Sequence, residues 1–291
     1  MRRGYFRVRL LTYVGIALQL SFPLWILVEL SSRSVANIDF VACAVVLVPF
    51  LLIGRWDLAG YGLQYVFLAA FLLLAYRHGG WLPPLFCSIF LAVFWLSFRR
   101  IGVGHVLELE FPLRGGTFYV AHGGASRLLN YHRISSRSQR FAVDIVKLRR
   151  WGTRAAGIYP RHLGAYGIFG EVVYSPCSGL VTSTVNDLPD LKPGEMDRGN
   201  AAGNCVFICV DGSDVYVLLA HLSRGSVLVS PGDRVLAGQP LAKVGNSGNT
   251  SEPHLHIHAQ RAVQRETGSE WVGLPMRFCG RWLVRNDLVR V

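Results

Sequence analysis

The protein has 291 residues, of which 51% are hydrophobic and 16% charged, and its formal net charge is +12. This balance excludes a disordered or collagen-like chain, and it is too apolar for an ordinary soluble domain. The apolar excess lies in residues 1–100, which hold nine Arg, no Lys and three acidic residues. The sequence therefore predicts a transmembrane region over residues 1–100 and a globular domain over residues 101–291 that is large enough for its own core.

Four stretches of the N-terminal region lack Asp, Glu, Lys and Arg: residues 10–28, 40–54, 58–76 and 79–98. A helix needs roughly 20 apolar residues to cross a hydrocarbon core of about 30 Å. The first, third and fourth stretches reach that length and the second is shorter, so we expect three or four transmembrane helices. The first stretch is expected to be a retained anchor, because no small-residue cleavage site follows it and further apolar stretches do.

The charge pattern bears on the side of the membrane that the globular domain occupies. Four Arg among the first nine residues favour a cytoplasmic N-terminus. Four spans would then return the domain to the cytoplasm, as the Arg pair at residues 99–100 also favours, whereas three spans would export it. Because long domains translocate largely regardless of charge, the pattern biases the orientation without fixing it.

Beyond about residue 110 the chain changes to short runs rich in Val, Ile and Phe that end at Gly, Pro, Asn or Asp. Such runs are typical of strands, and no apolar helical stripe of 12 or more residues interrupts them. We therefore expect an antiparallel all-β domain, with a Gly-punctuated hairpin at residues 230–245 similar to the hairpins of barrel-sandwich hybrid domains. The expected strands cover residues 117–121, 139–146, 179–185, 204–210, 215–219, 226–229 and 240–244.

Three histidines alternate along one run, at His254, His256 and His258. Alternate side chains of a strand share a face, so the three imidazoles are expected to project together. Imidazole is the commonest metal ligand and a general base near neutral pH, and three of them fill a core poorly. A metal or catalytic site is therefore favoured over a structural cluster.

Two further residues add to this site. His221 ends an apolar run, and Asp144 lies inside another, where a carboxylate is costly unless it is paired or bound to metal. Two His and one carboxylate with one open position fit a catalytic zinc ion. The spacing alone leaves open which His residues join Asp144.

Several motifs carry a resemblance to a known family. Gly245-Asn-Ser-Gly followed by Pro253-His-Leu-His256 resembles the closing signature of the lysostaphin-type, LytM-like zinc endopeptidases that cut peptidoglycan cross-bridges, and Leu219-Ala-His221-Leu resembles their central motif. Residues 169–179 and 203–208 are similar to core strands of the same family. The resemblance covers about residues 117–260 and implies one Zn²⁺ ion per chain, with peptidoglycan peptides as the substrate.

Carried over by position, the resemblance implies that His132, Asp144 and His256 bind the zinc ion and that His221 and His254 are catalytic. The family places a His four residues before its Asp, where this chain has an Arg at position 140, and His132 lies twelve residues before Asp144. A branch of membrane-associated relatives is similar to this longer form, so His132 is retained as the expected ligand.

Three more residues have expected places around this site. His122 is the rival of His132 as the first ligand. His258 stands where the family has an acidic residue, and Asn130 serves either to support a ligand or as a turn residue. The segment 186–203 is expected to form a loop that shapes or covers a cleft.

The expected function is therefore a membrane-anchored zinc endopeptidase of bacterial peptidoglycan. It would be a multi-pass protein of the bacterial inner membrane with the peptidase domain on the periplasmic or extracytoplasmic side, where the substrate is. The alternative is a family member without activity that binds the cell wall or regulates other enzymes. The lipid bilayer is an expected partner and nucleic acid is not, because no stacking platform or recognised motif accompanies the positive charge.

Overall fold

The computed structural model describes residues 2–32, 37–79, 106–265 and 268–291, together with residues 84, 85, 87–89 and 92. It contains an N-terminal helical part and a β domain. The helices of the first part are α1 (Arg2–Ser32), α2 (Asn37–Ile53), α3 (Trp56–Ala59) and α4 (Leu63–Gly79). They pack around a buried apolar cluster that includes Ile26, Leu30, Leu47, Leu51, Trp56 and Phe71.

Only one helix of the described residues is long and apolar enough to cross a membrane, through the segment Leu10–Ser31 of 22 residues in α1. The helices α2 and α4 have 17 residues each, which is shorter than the roughly 20 residues of a typical span, and the expectation of three or four transmembrane helices stays a prediction. The expected stretch 58–76 is divided, because Gly60 has a φ of 124°, which is incompatible with a helix, and α4 begins only after it. Most of the stretch 79–98 lies outside the described residues.

The β domain has fourteen strands among the described residues. They are β1 (Leu107–Leu109), β2 (Thr117–His122), β3 (Val143–Lys147), β4 (Val172–Tyr174), β5 (Gly179–Val185), β6 (Asn204–Val210), β7 (Val215–Leu222), β8 (Arg234–Val235), β9 (Pro240–Lys243), β10 (Leu255–Arg265), β11 (Gly268–Leu274), β12 (Met276–Phe278), β13 (Arg281–Trp282) and β14 (Leu288–Arg290). A single-turn helix, α5 (His132–Ser135), lies between β2 and β3.

Nine of these strands form the main sheet, in the order β14-β2-β3-β10-β7-β6-β5-β8, with β11 paired to β10. All pairs in this sheet are antiparallel, as the sequence predicts. One face of the sheet packs on the main core, which includes Val120, Ile145, Val206, Leu219 and Ile257. Two small sheets complete the domain: β4 pairs with β9, and β1 pairs in parallel with β12, which also pairs with β13.

Several sequence-based expectations need correction. The strands β5 and β6 have the predicted bounds, but β3 begins at Val143 and not at residue 139, because the preceding residues form turns. Residues 226–229 form no strand. The prediction of a hairpin at residues 230–245 is also wrong. Its two strands do not pair with each other, because β8 pairs with β5 and β9 pairs with β4.

The helical part and the β domain are joined by hydrogen bonds. The Tyr61 amide donates to the Gly152 carbonyl at 3.0 Å, and the Arg154 amide donates to the Asp57 carbonyl at 3.1 Å. The Arg285 guanidinium donates to the last carbonyl of α2 at 3.3 Å. These bonds place the polar turn after α2 directly beside the β domain.

Candidate metal centre

Three potential ligands converge from separate elements: His132 from α5, Asp144 from β3 and His256 from β10. One ligand atom of each residue lies within 4.8 Å of the other two. His132 Nε2 lies 2.8 Å from Asp144 Oδ2, and His256 Nδ1 lies 2.9 Å from Asp144 Oδ1. The two imidazoles therefore meet at one carboxylate, and these are the three residues that the resemblance implies as ligands.

The antiparallel ladder explains the position of Asp144. His256 and Asp144 are register partners across β3 and β10, and His256 is also paired with Ala220 of β7. Burial alone would raise the pKa of the Asp144 carboxyl, but the charge of His132 and hydrogen bonds from both imidazoles hold that pKa well below its ordinary value. The centre therefore contains a carboxylate anion, which favours the binding of a divalent cation.

His132 reaches the centre through the irregular segment between β2 and β3. Asn130 is fully buried there and donates from Nδ2 to the carbonyls of Gly124 and Ala142 at 3.0 and 2.9 Å. Its Oδ1 accepts the His132 amide at 3.1 Å. The Asn130 side chain thus holds the loop closed and fixes the backbone of His132. It binds only backbone groups and makes no hydrogen bond with the His132 imidazole.

His221 and His254 form one side of the centre, with ring centroids 4.8 Å apart. His221 Nδ1 lies 2.9 Å from the Ser247 carbonyl, and His254 Nδ1 lies 2.9 Å from the Glu252 carbonyl. Because a carbonyl only accepts, each Nδ1 carries the hydrogen and each Nε2 keeps its lone pair; His254 Nε2 lies 3.7 Å from Asp144 Oδ1. Burial, reinforced by the neighbouring imidazoles, lowers the pKa of His221 well below its ordinary value, so His221 is neutral.

The remaining histidines lie around this centre in different ways. His258 Nδ1 lies 2.9 Å from His256 Nε2, on the side away from Asp144, and His258 is buried. His122 is the register partner of Asp144 on β2, but its Nδ1 accepts a hydrogen bond from Arg285 at 2.8 Å. The lone pair of His122 Nδ1 is therefore engaged elsewhere, and the group of converging ligand atoms contains His132 and not His122.

The centre lies in a cavity of about 680 Å³. Three segments line it beside the histidines: residues 131–139, residues 196–202 and residues 249–251. The expected loop 186–203 thus lines the cavity, through Met196, Arg198, Ala201 and Ala202. Sequence reasoning missed Gln139 on the rim and the supporting role of Thr250, whose hydroxyl lies 3.1 Å from His254 Nδ1; neither residue type signals a site by itself.

The donor set fits a zinc ion. Zinc prefers nitrogen and oxygen ligands in a tetrahedral arrangement, and catalytic zinc sites use three protein ligands with one open position. His132, Asp144 and His256 supply two nitrogens and one anionic oxygen on the wall of an open cavity.

Part of the chain is similar to known proteins. Residues 166–267 match the model of Peptidase family M23. The chain contains an M23 peptidase domain. The match includes His221, His254 and His256 and begins after His132 and Asp144. The M23 domain thus follows the N-terminal helical part and consists mainly of antiparallel sheet.

Individual relatives of the M23 domain cover parts of the chain. Endolysin 2638A of Staphylococcus phage 2638A is 28% identical over a region that covers 41% of this chain and 28% of the endolysin. A zinc containing peptidase from Vibrio cholerae is similar in structure, at 22% identity and a TM-score of 0.32, over 51% of this chain and 35% of that one. The catalytic domain of lysostaphin from Staphylococcus simulans is 21% identical, with a TM-score of 0.24, over 40% of this chain and 84% of that one.

Proposed function

We propose that the protein is a zinc-dependent endopeptidase that hydrolyses peptide bonds in the cross-links or stems of bacterial peptidoglycan. The convergence of His132, Asp144 and His256 on the wall of a cavity that also holds His221 and His254 is the observation that carries the proposal. The M23 domain supplies the reaction class, and the cavity is open enough to admit a peptide.

Each group has a role that follows from its geometry. His132, Asp144 and His256 would hold the zinc ion, which would act as a Lewis acid on the scissile carbonyl and lower the pKa of a bound water. His221 is buried and neutral, and its Nδ1–H is donated to the Ser247 carbonyl, so its Nε2 accepts a proton. His254 is oriented in the same sense by the Glu252 carbonyl. Once protonated, either imidazole donates to the developing oxyanion or to the leaving amine.

The proposal includes attachment to the bacterial inner membrane through several passes. It is supported by large apolar side chains that are exposed on the outside of α1, α2 and α4, such as Leu18, Val46 and Leu73. Since peptidoglycan lies outside this membrane, we place the M23 domain on the periplasmic or extracytoplasmic side. A reporter enzyme fused after residue 291 tests the side, and a cytoplasmic result would exclude the cell-wall substrate.

The net charge of +12 supports the same substrate class. A basic protein attracts anionic wall polymers and raises their local concentration at the cavity. The phosphates of anionic lipids offer a second target for the basic residues on the helical side.

The test uses the full chain in detergent. Wild type should bind about one zinc ion per chain and release soluble peptides from purified peptidoglycan, read out by mass spectrometry. His256→Ala should lose both properties, whereas His162→Ala, which removes an exposed imidazole outside the cavity, should keep both. Unchanged hydrolysis by a zinc-free His256→Ala protein would overturn the proposal. Binding of peptidoglycan by wild type without release of peptides would favour the non-catalytic role.

A further inference from the structure

Four charged side chains meet where the helical part joins the β domain: Asp57, Arg154 and Glu252, which are buried, and Arg55, whose side chain is 24% exposed. Arg55 donates to both carboxylate oxygens of Asp57, at 2.8 and 2.6 Å. Arg154 contacts Glu252 Oε2 through Nη2 and Nε, at 2.6 and 2.8 Å. The side chain of Asp57 is 0% exposed and that of Arg154 is 1% exposed. We call these four residues the charge cluster.

The two pairs of the charge cluster also contact each other. Arg154 Nε lies 3.9 Å from Asp57 Oδ2, and Arg55 Nη2 lies 3.6 Å from Glu252 Oε1. Two guanidinium groups thus face two carboxylates, and the four charges of the cluster sum to zero. Buried ions are tolerated only when they are paired and hydrogen-bonded in this way, and loss of one partner leaves an uncompensated charge.

The charge cluster is continuous with the candidate metal centre through Glu252. The Glu252 carboxylate binds Arg154, and the Glu252 carbonyl accepts the hydrogen of His254 Nδ1 at 2.9 Å. The Thr250 hydroxyl donates to the same carbonyl at 2.8 Å. Pro253 follows directly and restricts the backbone between the carbonyl and His254. A side chain that fixes Glu252 therefore fixes the ring of His254.

Other bonds hold the neighbouring backbone in place. The Tyr159 hydroxyl donates to the Ser251 carbonyl at 2.6 Å, and Arg154 Nη2 donates to the Ile158 carbonyl at 3.1 Å. Arg154 is also bonded through its amide to the Asp57 carbonyl. Arg154 therefore connects the helical part to the β domain. It contacts Asp57 in the turn after α2 and Glu252 in the loop that precedes β10.

We propose that Asp57, Arg154 and Glu252 are positioning residues for His254. The polar turn between α2 and α4 then supports the geometry of the cavity and does not serve only to attach the helices. The expected effect on kcat rests on the proposed peptidase function. The expected effect on the order of residues 246–258 does not, because hydrogen exchange can be measured whether or not the protein hydrolyses peptides.

The test compares full-length variants in detergent by hydrogen–deuterium exchange and by peptidoglycan hydrolysis. Asp57→Asn keeps the shape of the side chain and removes its charge. It should speed exchange in residues 246–258 by roughly tenfold or more, although Asp57 lies almost two hundred residues away in the chain. The control is Asp211→Asn, which breaks an exposed ion pair with Arg234 and should leave the same peptides unchanged.

The kinetic arm separates positioning from general destabilisation. Asp57→Asn and Glu252→Gln should lower kcat about tenfold or more with KM and zinc content unchanged, because the ring of His254 loses its support while the pairing of β10 with β3 and β7 still holds His256. Arg154→Lys, which keeps the charge, should retain more of kcat than Arg154→Gln. The double variant Arg154→Gln/Glu252→Gln removes one whole ion pair, so it leaves no unpaired charge and should fold while still losing the order of residues 246–258.

The positioning role would be overturned if residues 246–258 of folded Asp57→Asn, or of the folded double variant, exchanged at the same rate as in the wild-type protein. A wild-type protein that releases no peptides would contradict the proposed function instead, and the exchange measurements would still decide the role of the charge cluster.

Discussion

Asp144 and His256 face each other across two neighbouring strands, with 2.9 Å between Asp144 Oδ1 and His256 Nδ1. Two adjacent backbones thus set the distance between an anionic and a neutral candidate ligand, and no flexible loop is needed to bring them together. The third candidate, His132, completes the group from outside the sheet.

Replacement of Asp144 by Asn should weaken zinc binding on the order of 100-fold or more, because it removes the anionic ligand while keeping the volume. Competition with a chelator of known affinity measures the change. Asp187→Asn is the matched control, since Asp187 is exposed and does not line the cavity. Equal affinity of Asp144→Asn and wild type would exclude Asp144 as a ligand.

Zinc binding should release protons and strengthen with pH. Burial alone lowers the pKa of His132, but the charge and hydrogen bond of Asp144 raise it above its ordinary value of about 6.5. Zinc needs the lone pair that the proton occupies, so affinity rises as pH increases through this raised pKa and levels off above it. Calorimetry at pH 7 in buffers of different ionisation enthalpy measures the released protons, and a buffer-independent heat would contradict the prediction.

His258 should support the zinc site from behind His256. If His256 binds through Nδ1, its Nε2–H donates to His258 Nδ1, 2.9 Å away. Loss of such a partner reduces metal affinity by about 10- to 100-fold. His258→Phe should show this loss, whereas His258→Asn, whose Oδ1 can replace Nδ1 as the acceptor, should lose less. Titration of both variants with zinc ranks them, and the reverse order would contradict the assignment.

His221 and His254 should act in the reaction without holding the metal. His221→Ala and His254→Ala are expected to keep about one zinc ion per chain and to lose hydrolysis by roughly 10²- to 10⁴-fold, the usual contribution of a general acid or base. Elemental analysis and peptide release are measured on the same preparations. Zinc loss in either variant would make that residue a ligand instead.

Acid should destabilise the metal-free protein partly through His122. Burial, with the positive charges of Arg55 and Arg285, lowers the pKa of His122 to about 3. The unfolded chain takes up a proton near pH 6.5, so the stability that neutral His122 contributes is complete above that pH. This contribution to the free energy of unfolding is lost as pH falls from 6.5 towards 3, by up to about 1.4 kcal/mol for each pH unit. His122→Asn keeps an acceptor for Arg285 and cannot be protonated in this range.

Denaturant unfolding, followed by tryptophan fluorescence between pH 7.5 and 4, should therefore give a shallower loss of stability for His122→Asn than for wild type. Identical slopes would show that other buried histidines account for the acid sensitivity.

The sequence predicts those parts of the structure that depend on local pattern. The strands β5 and β6 are found at their predicted bounds because each has continuous β-forming residues between turn residues. The grouping of His256 and His258 on one face of β10 follows from the alternation of a strand. Residues 226–229 are also mostly apolar but form no strand, because the Val227 amide donates to the Asn186 side chain at 3.0 Å and only the Leu228 amide donates to the backbone of a neighbouring strand, at the Leu241 carbonyl.

The site shows the same limit. The position of His132 depends on Asn130, whose three bonds join Gly124, Ala142 and the His132 backbone across an irregular loop. The charge cluster joins Asp57 to Glu252, residues that nothing in the local sequence connects. Such long-range polar contacts form only when the whole chain is folded, so the sequence predicts the residues of the centre better than the residues that support it.

The contacts of Gly152 and Arg154 with the turn after α2 bear on which substrates the cavity meets. Under the proposed function, a domain without these contacts would reach substrate over a wide range of distances from the membrane, whereas the docked domain would hold its cavity at one distance from the surface that carries the helices. Peptide bonds within that distance would be hydrolysed and bonds beyond it would not. The docking contacts would thus set the depth of cell wall that the protein can process.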